Sequence, residues 1–170
     1  MSFLARFFGG LSGRILAVGL AVGAAQFPVY YAQYLQTLTG ARQEASLRYE
    51  ELMREAGVLN LGAEDFIVRH EENSDPVFQA SGRIHRTTLA RFNKVDAAWQ
   101  ALSNATVFEK PLALLKHFDR SLADAVRFTP GVPLTLEAAG YALGGIVLAW
   151  LISMLCGALL MPRPRPVTVR

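Results

Sequence analysis

Only one cysteine occurs in the 170 residues, Cys156, so no disulfide can staple a domain of this chain. Within the apolar stretch that holds it, Cys156 reads as a small packing residue. Charge is scarce as well: 18% of the residues are Asp, Glu, Lys or Arg, against roughly 25% in an average soluble domain. The shortage is confined to two places. Ile15 to Ala41 and Ala138 to Met161 hold no charge, while Arg42 to Arg127 carry twelve Lys/Arg against thirteen Asp/Glu. The net charge of +3 therefore comes from the ends, from Arg6 and Arg14 on one side and Arg163, Arg165 and Arg170 on the other. A near-neutral middle without clustered Lys/Arg excludes a nucleic-acid interface. No segment alternates apolar and polar residues or carries an Asn-Gly turn, which argues against a sheet.

Catalytic patterns are missing too. The three histidines, His70, His85 and His117, never stand three or four apart, so no single helix face offers two metal ligands. They read as solvated surface residues; the competing reading is a metal site assembled from separate helices with Glu71, Glu72 or Asp119. Glu50 with Glu51 and Glu71 with Glu72 are adjacent in sequence and diverge by about 100° on a helix, too far apart to flank one bond as an acid/base pair. No glycine-rich phosphate loop and no nucleophile elbow occurs. The expectation is a protein that is not an enzyme and takes no cofactor.

What is present is a bracket of two apolar stretches. From about Ile15 to Tyr34 the chain supplies roughly twenty apolar residues, enough for a hydrocarbon core of about 30 Å. Tyr30, Tyr31 and Tyr34 fall where an interfacial aromatic belt belongs, and Pro28 kinks the helix near its outer end. A second reading takes Arg6 and Arg14 as the basic region of a signal peptide, Ile15 to Val22 as its apolar core, and Gly23, Ala24 and Ala25 as the approach to a cut at Gln26. Ala138 to Met161 is less ambiguous, being 24 uncharged residues between Pro130 and Pro133 upstream and Pro162, Pro164 and Pro166 downstream. Short basic flanks face the cytoplasm, which predicts both termini inside and the middle outside, in the periplasm of a Gram-negative cell.

The middle reads as helices. Leu38, Ala41, Ala45, Tyr49, Leu52 and Ala56 recur at steps of three and four on a helix that stops near Gly57. A short helix after Gly62 offers Phe66 and Ile67. Asp75 before Pro76 opens a long helix with Ile84, Thr88, Phe92, Val95, Trp99 and Leu102 on one stripe. A fourth, from about Pro111 to Phe128, places Leu115, Phe118, Leu122 and Ala125 on one side. The predicted fold is all-α: two transmembrane helices flanking a small periplasmic antiparallel helical bundle. Its segments are a cytoplasmic basic tail 1–14, a first span 15–36, a periplasmic domain 37–133, a second span 134–161 and a cytoplasmic Pro/Arg tail 162–170.

The spans carry the candidate interaction residues. Gly19 and Gly23 form a GxxxG in the first, and Gly140 and Gly144, with Gly145 adjacent, form one in the second. Small residues there let helix backbones approach, so the spans pack on each other, on a second copy or on a partner. Gln26 is the strongly polar side chain deep in a span and is suited to bonding a neighbouring helix. Glu137 stands in the first turn of the second span, where a carboxylate suits the helix dipole and the free backbone donors.

These residues carry a resemblance. The segments "GRILAVGLAVGAAQFPVYYAQYL" at 13–35, "SDPVF" at 74–78 and "VPLTLEAAGYALGG" at 132–145 resemble domain-of-unknown-function family 2937 over nearly the whole chain, above all Gln26-Phe27-Pro28 and Pro133-Leu134-Thr135-Leu136-Glu137. The resemblance implies a two-span, Gram-negative inner-membrane protein; it supplies no catalytic residue and weighs against the signal peptide. Two functions are expected from the pattern. The favoured one is a non-catalytic accessory or scaffold subunit, contacting the lipid bilayer and a membrane-protein partner or a second copy of itself. The other is a sensor-like periplasmic ligand-binding module; with nine residues after Met161, its signal would pass sideways to a partner's helices.

Overall fold

The computed structural model describes residues 2–131 and 134–160. The described residues form seven helices and no strand: α1 (Ser2–Ala25), α2 (Phe27–Val58), α3 (Ala63–Glu71), α4 (Pro76–Ser103), α5 (Lys110–Lys116), α6 (Arg120–Ala125) and α7 (Leu136–Leu160). The chain divides into two compact units, one of residues 1–30 and 129–170, the other of residues 31–128. The basic segment 1–14 is helical from Ser2 onward. Pro133, Met161 and the Pro/Arg tail 162–170 lie outside the described residues, and at Cys156 only the backbone is described.

In the unit of residues 31–128, α2 and α4 run antiparallel, as their cross-links show: Thr39 with Trp99, Arg42 with Asp96, Glu44 with Arg91 and Tyr49 with Phe92. The partner number falls as the residue number rises. The Tyr49 and Phe92 rings stack with centroids 4.4 Å apart. The expected α2 stripe is inside, with Leu38, Ala45, Leu52 and Ala56 at most 2% exposed. Leu52 and Ala56 form a core with Ala63, Phe66 and Ile67 of α3, and burying an Ile or Leu side chain stabilises by about 1.5–3 kcal/mol.

The helix ends follow from local chemistry. α2 ends at Val58, near Gly57 as the sequence predicts: Asn60 takes the left-handed conformation (φ 56°), and the amides of Asn60 and Leu61 donate to the carbonyls of Gly57 and Ala56, both at 3.0 Å. That is the Schellman pattern, for which asparagine can stand in for glycine. α4 begins as the sequence predicts, with the Asp75 side chain accepting from the Val77 amide at 2.8 Å and Pro76 at the first helical position.

Three expectations need correction. Ile84 is not on the buried stripe; it is 67% exposed, and α4 buries Gly82, Val95, Ala98 and Leu102. The predicted helix from Pro111 to Phe128 is broken into α5 and α6. Asp119 accepts hydrogen bonds from both the amide and the hydroxyl of Ser121, capping a new helix. At the break the Tyr34 hydroxyl donates to the His117 carbonyl at 3.3 Å and accepts from the Asp119 amide at 2.9 Å. Leu114 is buried in place of Leu115, while Leu115 and Phe118 are exposed and so is Ala125. Tyr31 and Tyr34 do not form an outer belt either: they are 3% and 0% exposed, and the Tyr31 hydroxyl donates to the Leu102 carbonyl at 2.7 Å.

In the other unit, α1 packs along α7. An 18-residue stretch within the helical run Gly13–Val58, of mean hydropathy 1.6, is long and apolar enough to cross a membrane; α7 holds a shorter described apolar run, Leu136–Ile152.

Candidate functional site

The sequence candidates gather at the junction of α1 and α2 and along α7. Gln26 interrupts the helical run as a turn between α1 and α2. Pro28 explains the break, because it offers no amide to the carbonyl one turn earlier; the chain bridges it with Gln26 N donating to the Val22 and Gly23 carbonyls, each at 3.2 Å. The Gln26 side chain does not bond a neighbouring helix. It clamps the backbone of Gly131 from both sides, its amide nitrogen donating to the Gly131 carbonyl at 2.9 Å and its oxygen accepting from the Gly131 amide at 3.3 Å. Phe27 meets Tyr141 of α7 with ring centroids 5.0 Å apart. The Gln-Phe-Pro triplet thus ties the helix junction to the start of α7.

Glu137 lies in the first turn of α7, but the side-chain cap is supplied by Thr135, whose hydroxyl accepts from the Ala138 amide at 3.1 Å. Threonine reaches the orphan amide because it stands at the cap position, where Glu137 is already inside the helix. The close approach between α1 and α7 falls on Gly145. A Cβ added there would meet the Leu20 carbonyl oxygen at 2.5 Å and Ala21 Cα at 3.0 Å. Gly19, Gly23, Gly140 and Gly144 are exposed, with nothing within 4 Å of an added Cβ. Those four faces are not used in the α1–α7 contact.

In the bundle, α3 and α4 bring together residues that sequence spacing keeps apart. Gly82 allows the crossing: an added Cβ would lie 2.7 Å from Glu71 Cγ and 2.8 Å from its amide nitrogen. Beside it, the rings of His70 and His85 stand 5.7 Å apart among Phe66 and Phe78. They are half-buried, not solvated surface residues. His70 Nδ1 pairs with the Phe66 carbonyl at 2.8 Å, and His85 Nε2 lies 3.1 Å from Ser81 Oγ and 3.8 Å from a Glu55 oxygen. No group of three or more His, Cys, Asp or Glu among the described residues is placed to hold a metal ion. A helical wheel of one helix could not reveal the His70/His85 pair, because two different helices supply it.

Several of the bundle's carboxylates are engaged with bases or with hydrogen-bond donors. Arg86 binds Glu71 with both Nε and Nη2 and reaches Glu64 with Nη1, all three at 2.8 Å. This fork holds the Glu71 carboxyl below its usual range and pushes the Arg86 guanidinium above its own. Lys94, with help from Ser121, holds Asp119 well below the usual carboxylate range. The Thr106 hydroxyl and amide lower the Glu109 carboxyl from its usual value. Groups so fixed in the ionised form are poor proton donors near neutral pH. Between α2 and α4 lies a groove of about 480 Å³ with Ala45, Ala80 and Ile84 among its apolar lining and Arg48, Arg83 and Arg91 at its edges. Arg48 and Arg91 share Glu44.

The family model described as a protein of unknown function (DUF2937) matches residues 8–165, and the chain belongs to that family. No curated protein and no solved structure matches the chain.

Proposed function

We propose that this member of the DUF2937 family is an integral protein of the bacterial inner membrane with two spans, residues 15–36 and 134–161, both termini cytoplasmic and the helical domain periplasmic, and that it serves as a non-catalytic accessory or scaffold subunit. The 25 residues of α7 extend about 37 Å at 1.5 Å per residue, longer than a hydrocarbon core of about 30 Å. The outward side chains of α1 and α7 are apolar: Ile15, Val18, Val22, Leu143, Val147, Trp150 and Leu155 are all more than half exposed. Packing of α7 on Leu20 and Ala21 supports retention of the first span over cleavage at Gln26, since cleavage removes the surface that Gly145 fits.

The observation that carries the accessory reading is the open state of Gly19, Gly23, Gly140 and Gly144. Each pair offers a small-residue face on which another membrane helix can approach, and none of the described residues fills either. The paired, ionised carboxylates support a non-catalytic bundle. Crosslinked purification from native membranes tests the proposal. One stoichiometric partner, or a second copy of the chain, is expected, and Gly19→Leu with Gly140→Leu should abolish its recovery; recovery of no partner contradicts it.

The groove between α2 and α4 favours a second reading, a sensor-like module that takes an organic anion on Arg83 and its neighbours. Its volume falls within the 300–1,000 Å³ typical of ligand sites. Under that reading an Arg83→Ala variant loses ligand-induced thermal stabilisation while crosslinked partners are unchanged.

A further inference from the structure

The segment that links α4 to α6 exposes an apolar face that the bundle does not use. Phe108 is 94% exposed, Leu112 54%, Leu115 75% and Phe118 51%, while Leu114 between them is buried at 8%. Leu112 and Leu115, three apart on α5, share one side of it, and Phe108 stands exposed in the turn that leads into α5. Lys110 and Lys116 flank them, and the Lys110 ammonium lies 5.3 Å from the centre of the Tyr31 ring. An apolar side bordered by lysines is the composition of an element that lies in a membrane interface.

The height of this segment is fixed by two tyrosines. Tyr31 and Tyr34 are among the last residues of the twenty that the first span needs, and both are bonded to this part of the chain. Tyr31 holds the Leu102 carbonyl at the end of α4, and Tyr34 holds the His117 carbonyl and the Asp119 amide. The ring of Phe118 stacks on Tyr34 with centroids 6.1 Å apart. Residues 102–119 are therefore pinned to the last turn of the span, where the headgroup region of the bilayer lies.

We propose that residues 107–118 form an interfacial anchor, with Phe108, Leu112 and Leu115 set into the outer leaflet and Lys110 and Lys116 at the lipid phosphates. The occupant of this face is the lipid surface. The anchor replaces the aromatic belt that the buried Tyr31 and Tyr34 cannot provide. It rests on the two-span reading, and the experiment separates the two.

The full chain carrying Cys156→Ser is reconstituted in vesicles of phosphatidylethanolamine and phosphatidylglycerol, with single cysteines at Phe108, Leu115, Leu47 or Val147 labelled by a small fluorophore. Lipids carrying a quencher near the headgroup end of the acyl chain are then introduced. Phe108 and Leu115 are mostly exposed, so their replacement removes little packing, and circular dichroism of each variant checks that the helices form. Labels at Phe108→Cys and Leu115→Cys should lose at least about half their emission, as expected for side chains about 5–10 Å below the surface, while the label at Leu47→Cys on α2 stays bright. Equal brightness at Phe108, Leu115 and Leu47, with Val147→Cys quenched by lipids labelled deeper in the chain, overturns the anchor and leaves the spans standing. A Val147 label that no lipid quenches overturns both. Protection of the Phe108 and Leu115 labels from a water-soluble quencher without any lipid quenching assigns the face to a protein and likewise overturns the anchor.

Discussion

In the unit of residues 31–128 the most deeply buried positions hold large side chains, Tyr34, Leu38, Leu52, Ile67 and Leu102, while the charges lie toward solvent and link one helix to the next. In the α1–α7 pair the described buried positions of α7 are Ala138, Gly145 and Ala149, and Ile15, Val18, Leu143 and Trp150 point outward. One region is closed by filling space with apolar bulk, the other by bringing two backbones close together. The first way suits water as the surrounding solvent, because burial of apolar area drives it. The second suits lipid, where burial between helices gains little and close packing of small residues carries the association. The two surfaces are those that the proposed topology requires, one facing water and the other lipid.

The contrast can be broken at its strongest points first. Ile67→Ala, at a fully buried position, should destabilise the bundle by about 3 kcal/mol through lost burial and the cavity left behind, read as a lowered denaturant midpoint; the α1–α7 contact, read by a crosslink between single cysteines at Ala21 and Leu148, should persist. Gly145→Leu should do the reverse. It forces apart backbones already in contact, at a cost of about 1–3 kcal/mol, so the crosslink is lost and the bundle midpoint is unchanged, whereas Gly140→Leu leaves the crosslink intact. Tyr31→Phe removes the hydroxyl that serves the Leu102 carbonyl and should cost about 1 kcal/mol, with faster amide exchange near residues 102–105 as its local mark.

The smallest expected effect is tied to pH. Asp119→Asn keeps a helix-capping side chain but loses the charge paired with Lys94, and should cost at most about 1 kcal/mol at neutral pH, the worth of an exposed ion pair. Because Lys94 and Ser121 hold the Asp119 carboxyl below its unfolded value, the carboxylate's contribution is complete above the unfolded value of about 4 and disappears as pH falls through the lower folded value. Wild type and variant should therefore converge in acid, as a pair of denaturation series at neutral and acidic pH would show.

Local rules made much of the fold legible. The stripe from Leu38 to Ala56 and the Asp75-Pro76 helix start depend on neighbours within a turn or two, and both are where the sequence places them. The α5/α6 break was legible in principle, since Asp119 precedes Ser121 by two residues, but the apolar spacing of Leu115, Phe118 and Leu122 outweighed that signal. Other features depend on partners far along the chain. Tyr31 and Tyr34 read as belt residues because their acceptors at Leu102 and His117 lie 71 and 83 positions away. The Gln26 clamp on Gly131 spans 105 positions. Likewise Gly145, and not the GxxxG pairs, carries the helix contact, because spacing alone does not tell which side of a helix meets its neighbour.

The two-span topology is tested most directly by cysteine accessibility in cells. In the Cys156→Ser chain, single cysteines at Ser74, before α4, and at Thr168, in the C-terminal tail, are exposed to a membrane-impermeant maleimide after the outer membrane is opened. Labelling at Ser74→Cys in intact spheroplasts, with labelling at Thr168→Cys only after lysis, is the expected result. Labelling of Thr168→Cys in intact spheroplasts, or of neither position without lysis, would contradict a periplasmic bundle held between two spans.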